Sequence, residues 1–220
     1  FEQMQEGISF DTLDQFEDCC MCYSKTDTDS FQNHALIKRP LSEEEINTTE
    51  EKFLRRDRKP AFFFENKKDL QPFISEIEKK QYNKGWEDSW MFYNSTEVPD
   101  LDFSSIQKVD SDEMLELFLK VFEASFQKND PQNPYGELGE YLPSSKSAWF
   151  KHRSTERLEY YLAFQDNEPV ATSMLNSYHD VGYISGVGSL RTVRGKGYGK
   201  LVTLHAVNES MKKNNSVHSL

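Results

Sequence analysis

The sequence has almost no cysteine to build with. Three occur among 220 residues, Cys19, Cys20 and Cys22, all inside the stretch DCCMC. An odd number of such close neighbours cannot staple a domain. The second ligand pair that zinc modules show is missing as well. Reduced thiols in a cytoplasmic protein are the expectation. Long apolar runs are also lacking. AFFF at 61–64 is typical of the longest, far short of the roughly 20 residues a membrane-spanning helix needs. The start, FEQMQEGISF, has neither a basic nor an apolar segment, so no signal peptide is expected. A first residue of Phe rather than Met reads as a missing or processed start. Net basic charge is absent too. The formal charge is -11, which argues against a general binder of nucleic acid or of an anionic membrane.

The positive charge that exists is concentrated. Residues 191–213 hold Arg191, Arg194, Lys196, Lys200, Lys212 and Lys213 against Glu209 alone, a local +5 that leaves -16 on the rest of the chain. Local positive charge suits an anionic ligand.

Along the chain, residues 1–33 are acidic and polar and predict helical pieces and loops. Ser42 and Glu45 have capping-box spacing, so a helix is expected to start there. KPAFFFEN predicts a short buried strand. Leu70, Phe73, Ile74 and Ile77 form an amphipathic stripe with Pro72 early enough to be tolerated. GWEDSWMFYN reads as a further strand. NSTEVPDLDFSS at 94–105 is turn-rich and predicts a domain boundary, dividing the chain into 1–100 and 106–220. Asp110 and Glu113 then have capping-box spacing ahead of a helix with Met114, Leu117, Phe118, Val121 and Phe122 on its apolar face. A long loop follows at 127–143, then a short helix in SKSAWFKHRS. A hairpin turns at Asp166-Asn167-Glu168. The next strand is VGYISGVGSL, with Gly186 and Gly188 inside it, positions that mark a bulge or a close backbone approach. A helix with Leu201, Leu204, Val207 and Met211 on one side and a final strand at SVHSL complete the reading.

Between that last long strand and its helix lies RTVRGKGYGKL. Glycines there permit strained backbone and keep side chains away from a ligand. The first N–H groups of the helix and its dipole make an anion site suited to a pyrophosphate. Familiar nucleotide motifs fail by spacing. Lys200 stands where a G-x-G-x-x-G fingerprint needs its third glycine. Leu190 stands where a P-loop needs its first, and no HRD or DFG triplet occurs.

Arg194-Gly195-Lys196-Gly197-Tyr198-Gly199 resembles the R/Q-x-x-G-x-G/A motif of the GCN5-related N-acetyltransferase (GNAT) superfamily. The order of helix, loop, hairpin, strand, motif and helix is similar to the first two thirds of that domain over about residues 106–220. The resemblance implies an α/β GNAT fold, a mixed and mostly antiparallel sheet flanked by helices. It implies acetyl-CoA as co-substrate. Val187, Gly188 and Ser189 would offer backbone groups to the pantetheine arm and thioester, one N–H polarising the acetyl carbonyl. The N–H groups from Arg194 to Gly199 would cradle the pyrophosphate, with charge from Arg194 and Lys196. The acceptor would be a primary amine of a small molecule or peptide. The family's acidic tyrosine, on a helix after the fifth strand, would fall beyond Leu220, so the resemblance reads the domain as truncated.

No acid or base is assigned from the sequence. Tyr178, His179 and Asp180 are candidates whose alternative is a polar loop. Glu159, Tyr160 and Tyr161 face either the cleft or the core. The strand–helix–strand reading of residues 61–94 is similar to the closing part of a GNAT domain without its glycine motif. It is either a degenerate upstream copy or an unrelated accessory domain. A non-catalytic module that binds acyl-CoA shares the same cradle residues.

Overall fold

The computed structural model describes residues 1–16, 19–133 and 136–220. They form two compact units, Phe1–Asp88 and Ser89–Leu220.

The first unit opens with the short helix α1 (Glu2–Gln5) and the strands β1 (Thr12–Phe16), β2 (Cys19–Tyr23) and β3 (Ala35–Ile37). Helix α2 (Glu43–Leu54) carries the chain to β4 (Phe62–Phe64), and a 3-10 turn at Lys68–Leu70 leads into α3 (Gln71–Lys79). The sheet order is β1-β2-β3-β4, antiparallel except for β4, which lies parallel to β3. The paired strands within residues 1–33 replace the expected helical pieces and loops. CCMCY is the reason: as a strand buried on both faces it reads as an unbroken apolar run and shows no alternation. Its neighbours Glu17 and Asp18 lie outside the described residues. Cys19 and Met21 face a core with Ile37, Ile46, Phe53, Phe73 and Ile77. All three cysteines are free and buried. Leu70, Phe73 and Ile77 are buried as the stripe requires, while Phe62–Phe64 are only half-buried. The expected strand in GWEDSWMFYN does not form. Within it only Phe92 makes a bridge, to Ser219, and Trp86, Trp90, Met91 and Phe92 are exposed. Aromatic residues favour strands only where a partner covers them.

The second unit has β5 (Ile106–Lys108), α4 (Asp112–Ser125), α5 (Tyr141–His152), β6 (Leu158–Gln165), β7 (Glu168–Tyr178), β8 (Val181–Ser189), α6 (Tyr198–Lys212) and β9 (Val217–Ser219). Strand order is β5-β6-β7-β8-β9, with β9 parallel to β8 and every other neighbour antiparallel. Ser111, not Asp110, caps α4: its hydroxyl accepts from the Met114 N–H at 3.2 Å. The buried face of α4 is turned from the expected one. Leu115, Phe118, Leu119, Val121 and Phe122 are buried and Leu117 is exposed. Helix α5 is longer than its sequence suggested and starts at Tyr141. The β6–β7 hairpin turns on Asp166 and Asn167, both at positive φ, 51° and 67°, as a tight two-residue turn demands. Tyr160 stacks on Phe118 of α4, whereas the next residue, Tyr161, meets His205 of α6. Successive strand residues face opposite ways, so α4 and α6 cover opposite faces of the sheet.

β1–β4 of the first unit and β6–β9 of the second carry the same run of pairings: three antiparallel strands, a helix, then a strand parallel to the third.

Helix α6 is held to β8 and β9 by a buried polar knot. The Ser210 hydroxyl meets His218 Nδ1 at 2.9 Å and accepts from Asn215 at 2.9 Å. A Cβ on Gly182 would stand 1.8 Å from Ser210 Oγ and 2.8 Å from its Cβ. Gly182→Ala is therefore expected to lose about 1–3 kcal/mol of stability, read from urea denaturation. A wild-type midpoint would mean that the knot yields freely.

Candidate functional site

The glycine motif sits where β8 hands over to α6. Leu190 leaves the strand, Arg191–Val193 form a 3-10 turn, and Gly195 and Gly197 take φ of 78° and 91°. Those angles belong to glycine. Gly197 is the residue before the helix and has no side chain to cap it. The Leu201 N–H bonds to the Gly197 carbonyl at 2.9 Å. Ahead of it, the N–H groups of Gly195, Gly197, Tyr198, Gly199 and Lys200 have no acceptor among the described residues. They line an open cleft of ≈ 540 Å³ together with Val187, Gly188 and Ser189. A Cβ at Gly195, Gly197 or Gly199 would meet no heavy atom within 4 Å. Space and unpaired donors thus coincide at the positive end of a helix, the arrangement that takes a phosphate group.

The contrast with α2, the corresponding helix of the first unit, is physical. Its start is closed by a capping box. Ser42 accepts from the Glu45 N–H at 3.2 Å, and Glu45 accepts from the Ser42 N–H at 2.7 Å. Arg39 pairs with the same carboxylate at 2.7 Å. Arg39, and then the Ser42 N–H, hold Glu45 down at about 2. The Glu45 carboxylate thus occupies the Ser42 N–H and Arg39, and the Ser42 hydroxyl takes the Glu45 N–H.

The cleft's second feature is the end of β8. The strand pairs with β9 only through Val181, Gly182 and Tyr183. On its other side the register slips: β8 advances three residues, from Gly188 to Ser185, while β7 advances two, from Thr172 to Met174. This bulge puts Gly186 at φ 59°, and Thr172 Oγ1 donates to its carbonyl at 2.9 Å. Gly188 is glycine for a different reason. A Cβ there would stand 2.7 Å from Ser125 Cβ and 3.0 Å from Phe126, so α4 can lie against β8 only over a bare backbone.

Arg194 lines the cleft, but its guanidinium is engaged. It pairs with Asp130 at 2.5 Å and donates to the carbonyls of Ser125 at 3.1 Å and Ser189 at 3.3 Å, and to Gln132 Oε1 at 3.3 Å. The Asp130 side chain is 1% exposed. The Gln132 N–H, and with it Arg194, holds that carboxyl below the ordinary aspartate range. Lys196 and Lys200 are exposed and form no ion pair among the described residues. Positive charge near the cleft that no carboxylate offsets therefore comes from Lys196, Lys200 and the exposed Arg191, where the sequence suggested Arg194 and Lys196.

The structure does not bring the other candidates here. Tyr178, His179 and Asp180 form the β7–β8 turn, at the far end of β8. Six residue steps along β8 separate Val181 from Val187, roughly 20 Å at about 3.3 Å each. Asp180 accepts from the Ser216 hydroxyl at 2.9 Å. Tyr160 is buried and donates to the Ser145 carbonyl at 2.8 Å. Tyr161 donates to Glu159 at 3.0 Å, and that buried carboxylate also pairs with Lys108 and with Lys213 at 3.2 Å. These side chains are structural. Sequence reasoning missed Ser125, Phe126 and Gln132, which complete the wall, and Asp130, which lies behind it and holds Arg194. Asp130-Pro131 signals only a turn. Pro134 and Tyr135 of the same loop lie outside the described residues. No helix among the described residues is long and apolar enough to cross a membrane, and no group of three His, Cys, Asp or Glu side chains is placed to hold a metal.

Two solved structures share this fold along nearly the whole chain. One is a GCN5-related N-acetyltransferase from Kribbella flavida, 16% identical, with a TM-score of 0.63 over 100% of this chain and 82% of that one. The other is a functionally unknown conserved protein from Staphylococcus epidermidis, 15% identical, with a TM-score of 0.62 over 97% and 83%. No curated protein matches the chain. Residues 112–220, the span from α4 through the glycine motif to β9, match the model of the acetyltransferase (GNAT) family. Through that span, this chain belongs to the GNAT acetyltransferase family.

Proposed function

We propose that the protein is an acetyl-CoA-dependent N-acetyltransferase acting on a primary amine of a small molecule or peptide. The observation that carries this is the set of unpartnered amides of Gly195, Gly197, Tyr198, Gly199 and Lys200 beside empty space at three glycines. A pyrophosphate needs such donors, and Lys196 and Lys200 offset its charge. Backbone groups at Val187, Gly188 and Ser189, next to the stretch of β8 that β9 leaves unpaired, suit a pantetheine arm. When bound, acetyl-CoA supplies a thioester whose carbonyl carbon an amine can attack. An N–H at the bulge would stabilise the oxygen charge that develops. The first unit, with the same strand pairings and a closed helix start, reads as a degenerate GNAT-like half that holds no cofactor.

A second reading has its own observation. Among the described residues that line the cleft there is no carboxylate and no imidazole, so the proton from the amine has no acceptor there. This favours a non-catalytic module that binds acyl-CoA.

Calorimetric titration with acetyl-CoA, followed by a thiol-release assay over a panel of primary amines, separates the readings. An enzyme binds and releases CoA with at least one amine. Binding without turnover on any amine supports the module, and no binding removes both.

A further inference from the structure

We propose that Arg194 is a positioning residue that fastens the two walls of the cleft together, and that it contributes no charge to the ligand. This rests on the reading of the cleft as an acyl-CoA site. The guanidinium spans three elements. It reaches the last turn of α4 through the Ser125 carbonyl, the end of β8 through the Ser189 carbonyl, and the loop after α4 through Asp130 and Gln132. A planar fork with several fixed donors can make such a junction, and a lysine ammonium cannot. Asp130 is as fixed as its partner. One of its oxygens accepts from the Gln132 N–H at 3.0 Å, and its loop is closed by the Asn133 N–H on the Asp130 carbonyl at 2.9 Å. The buried carboxylate already offsets the arginine's charge.

The loop at 127–133 and the glycine turn at 194–199 are the two sides of one cleft. They touch through this side chain. The positive residues left for a phosphate are Lys196, Lys200 and the neighbouring Arg191. Arg194 then acts on affinity through the geometry of the cleft.

The Asp130→Asn variant tests this by the sign of its effect. Asparagine keeps the bond from Gln132 and removes the charge. A clamp predicts acetyl-CoA binding roughly tenfold weaker. An arginine serving as phosphate ligand would be released by the same change, and binding would tighten. Arg194→Lys gives a second contrast: a clamp is not rescued by lysine, a point-charge contact largely is. The salt dependence of binding should be unchanged in Arg194→Gln and reduced in Lys196→Ala. Amide hydrogen exchange at 127–133, measured without ligand, should quicken in both Asp130→Asn and Arg194→Gln. Unchanged exchange in both variants, or tighter binding in Asp130→Asn, overturns the proposal. A wild-type protein that binds no acetyl-CoA would remove the acyl-CoA reading, while the exchange experiment would still decide for or against the clamp.

Discussion

Gly199→Glu is expected to abolish acetyl-CoA binding while raising the melting temperature. The two effects have separate causes. Gly199 is the second residue of α6, and its φ is not positive, so the backbone does not require glycine. Glutamate is the better helix former by about 0.5–1 kcal/mol. An acidic side chain in the first turn, where α6 has none, adds about 0.3–1 kcal/mol. A Cβ there would touch nothing in the protein. What it would meet is the ligand: a carboxylate among the amide donors competes for them and repels a phosphate. A loss beyond about 100-fold in affinity follows, since each 1.4 kcal/mol is about tenfold. Gly199→Ala is the control and should bind within a few-fold of wild type. Gly197 is a poorer test, because any side chain at φ 91° adds strain of about 1–2 kcal/mol. Wild-type affinity in Gly199→Glu would show that the amides do not hold the phosphates.

Phe118→Ala should cost about 3–5 kcal/mol, a large part of the roughly 5–15 kcal/mol that holds a domain folded. Phe118 is fully buried, stacked on Tyr160 at 4.5 Å and set against Phe122 at 5.6 Å. It is one of the contacts by which α4 packs on the sheet, and α4 with the residue after it supplies Ser125 and Phe126 to the cleft. Leu117→Ala, one residue away, should change stability by no more than about 0.5 kcal/mol, because Leu117 points to solvent. Denaturant titration of the two variants reads the difference. If acetyl-CoA binds the folded state, a ligand concentration of 100 times Kd should return about 2.7 kcal/mol to Phe118→Ala. Equal losses at 117 and 118 would mean that the apolar face of α4 is misassigned.

That pair of residues shows where sequence reasoning stops. Apolar residues at helical spacing mark α4, but they spread over a wide arc, with Met114 and Leu117 at one edge and Leu115 and Leu119 at the other. Packing decides which edge is covered: Leu115, Phe118, Leu119, Val121 and Phe122 are buried and Leu117 is exposed. The glycine motif was legible because its demands are local: spacing, positive φ and a following helix. The hairpin at Asp166 and Asn167 was legible for the same reason. β2 was not, since CCMCY carries no alternation, and the aromatics of GWEDSWMFYN promised a strand of which only Met91–Tyr93 pair, with His218–Leu220. The Arg194–Asp130 pair joins residues far apart in the chain, and no local pattern announces it. The pairing order that the two units share is not displayed by the sequence.

The most direct test of the acyl-CoA cradle is an amide chemical-shift titration of the labelled protein with coenzyme A. The largest changes are expected at Gly195, Gly197, Tyr198, Gly199 and Lys200, with inorganic pyrophosphate reproducing part of the pattern. Changes confined to other residues, or none at saturating ligand, would contradict it.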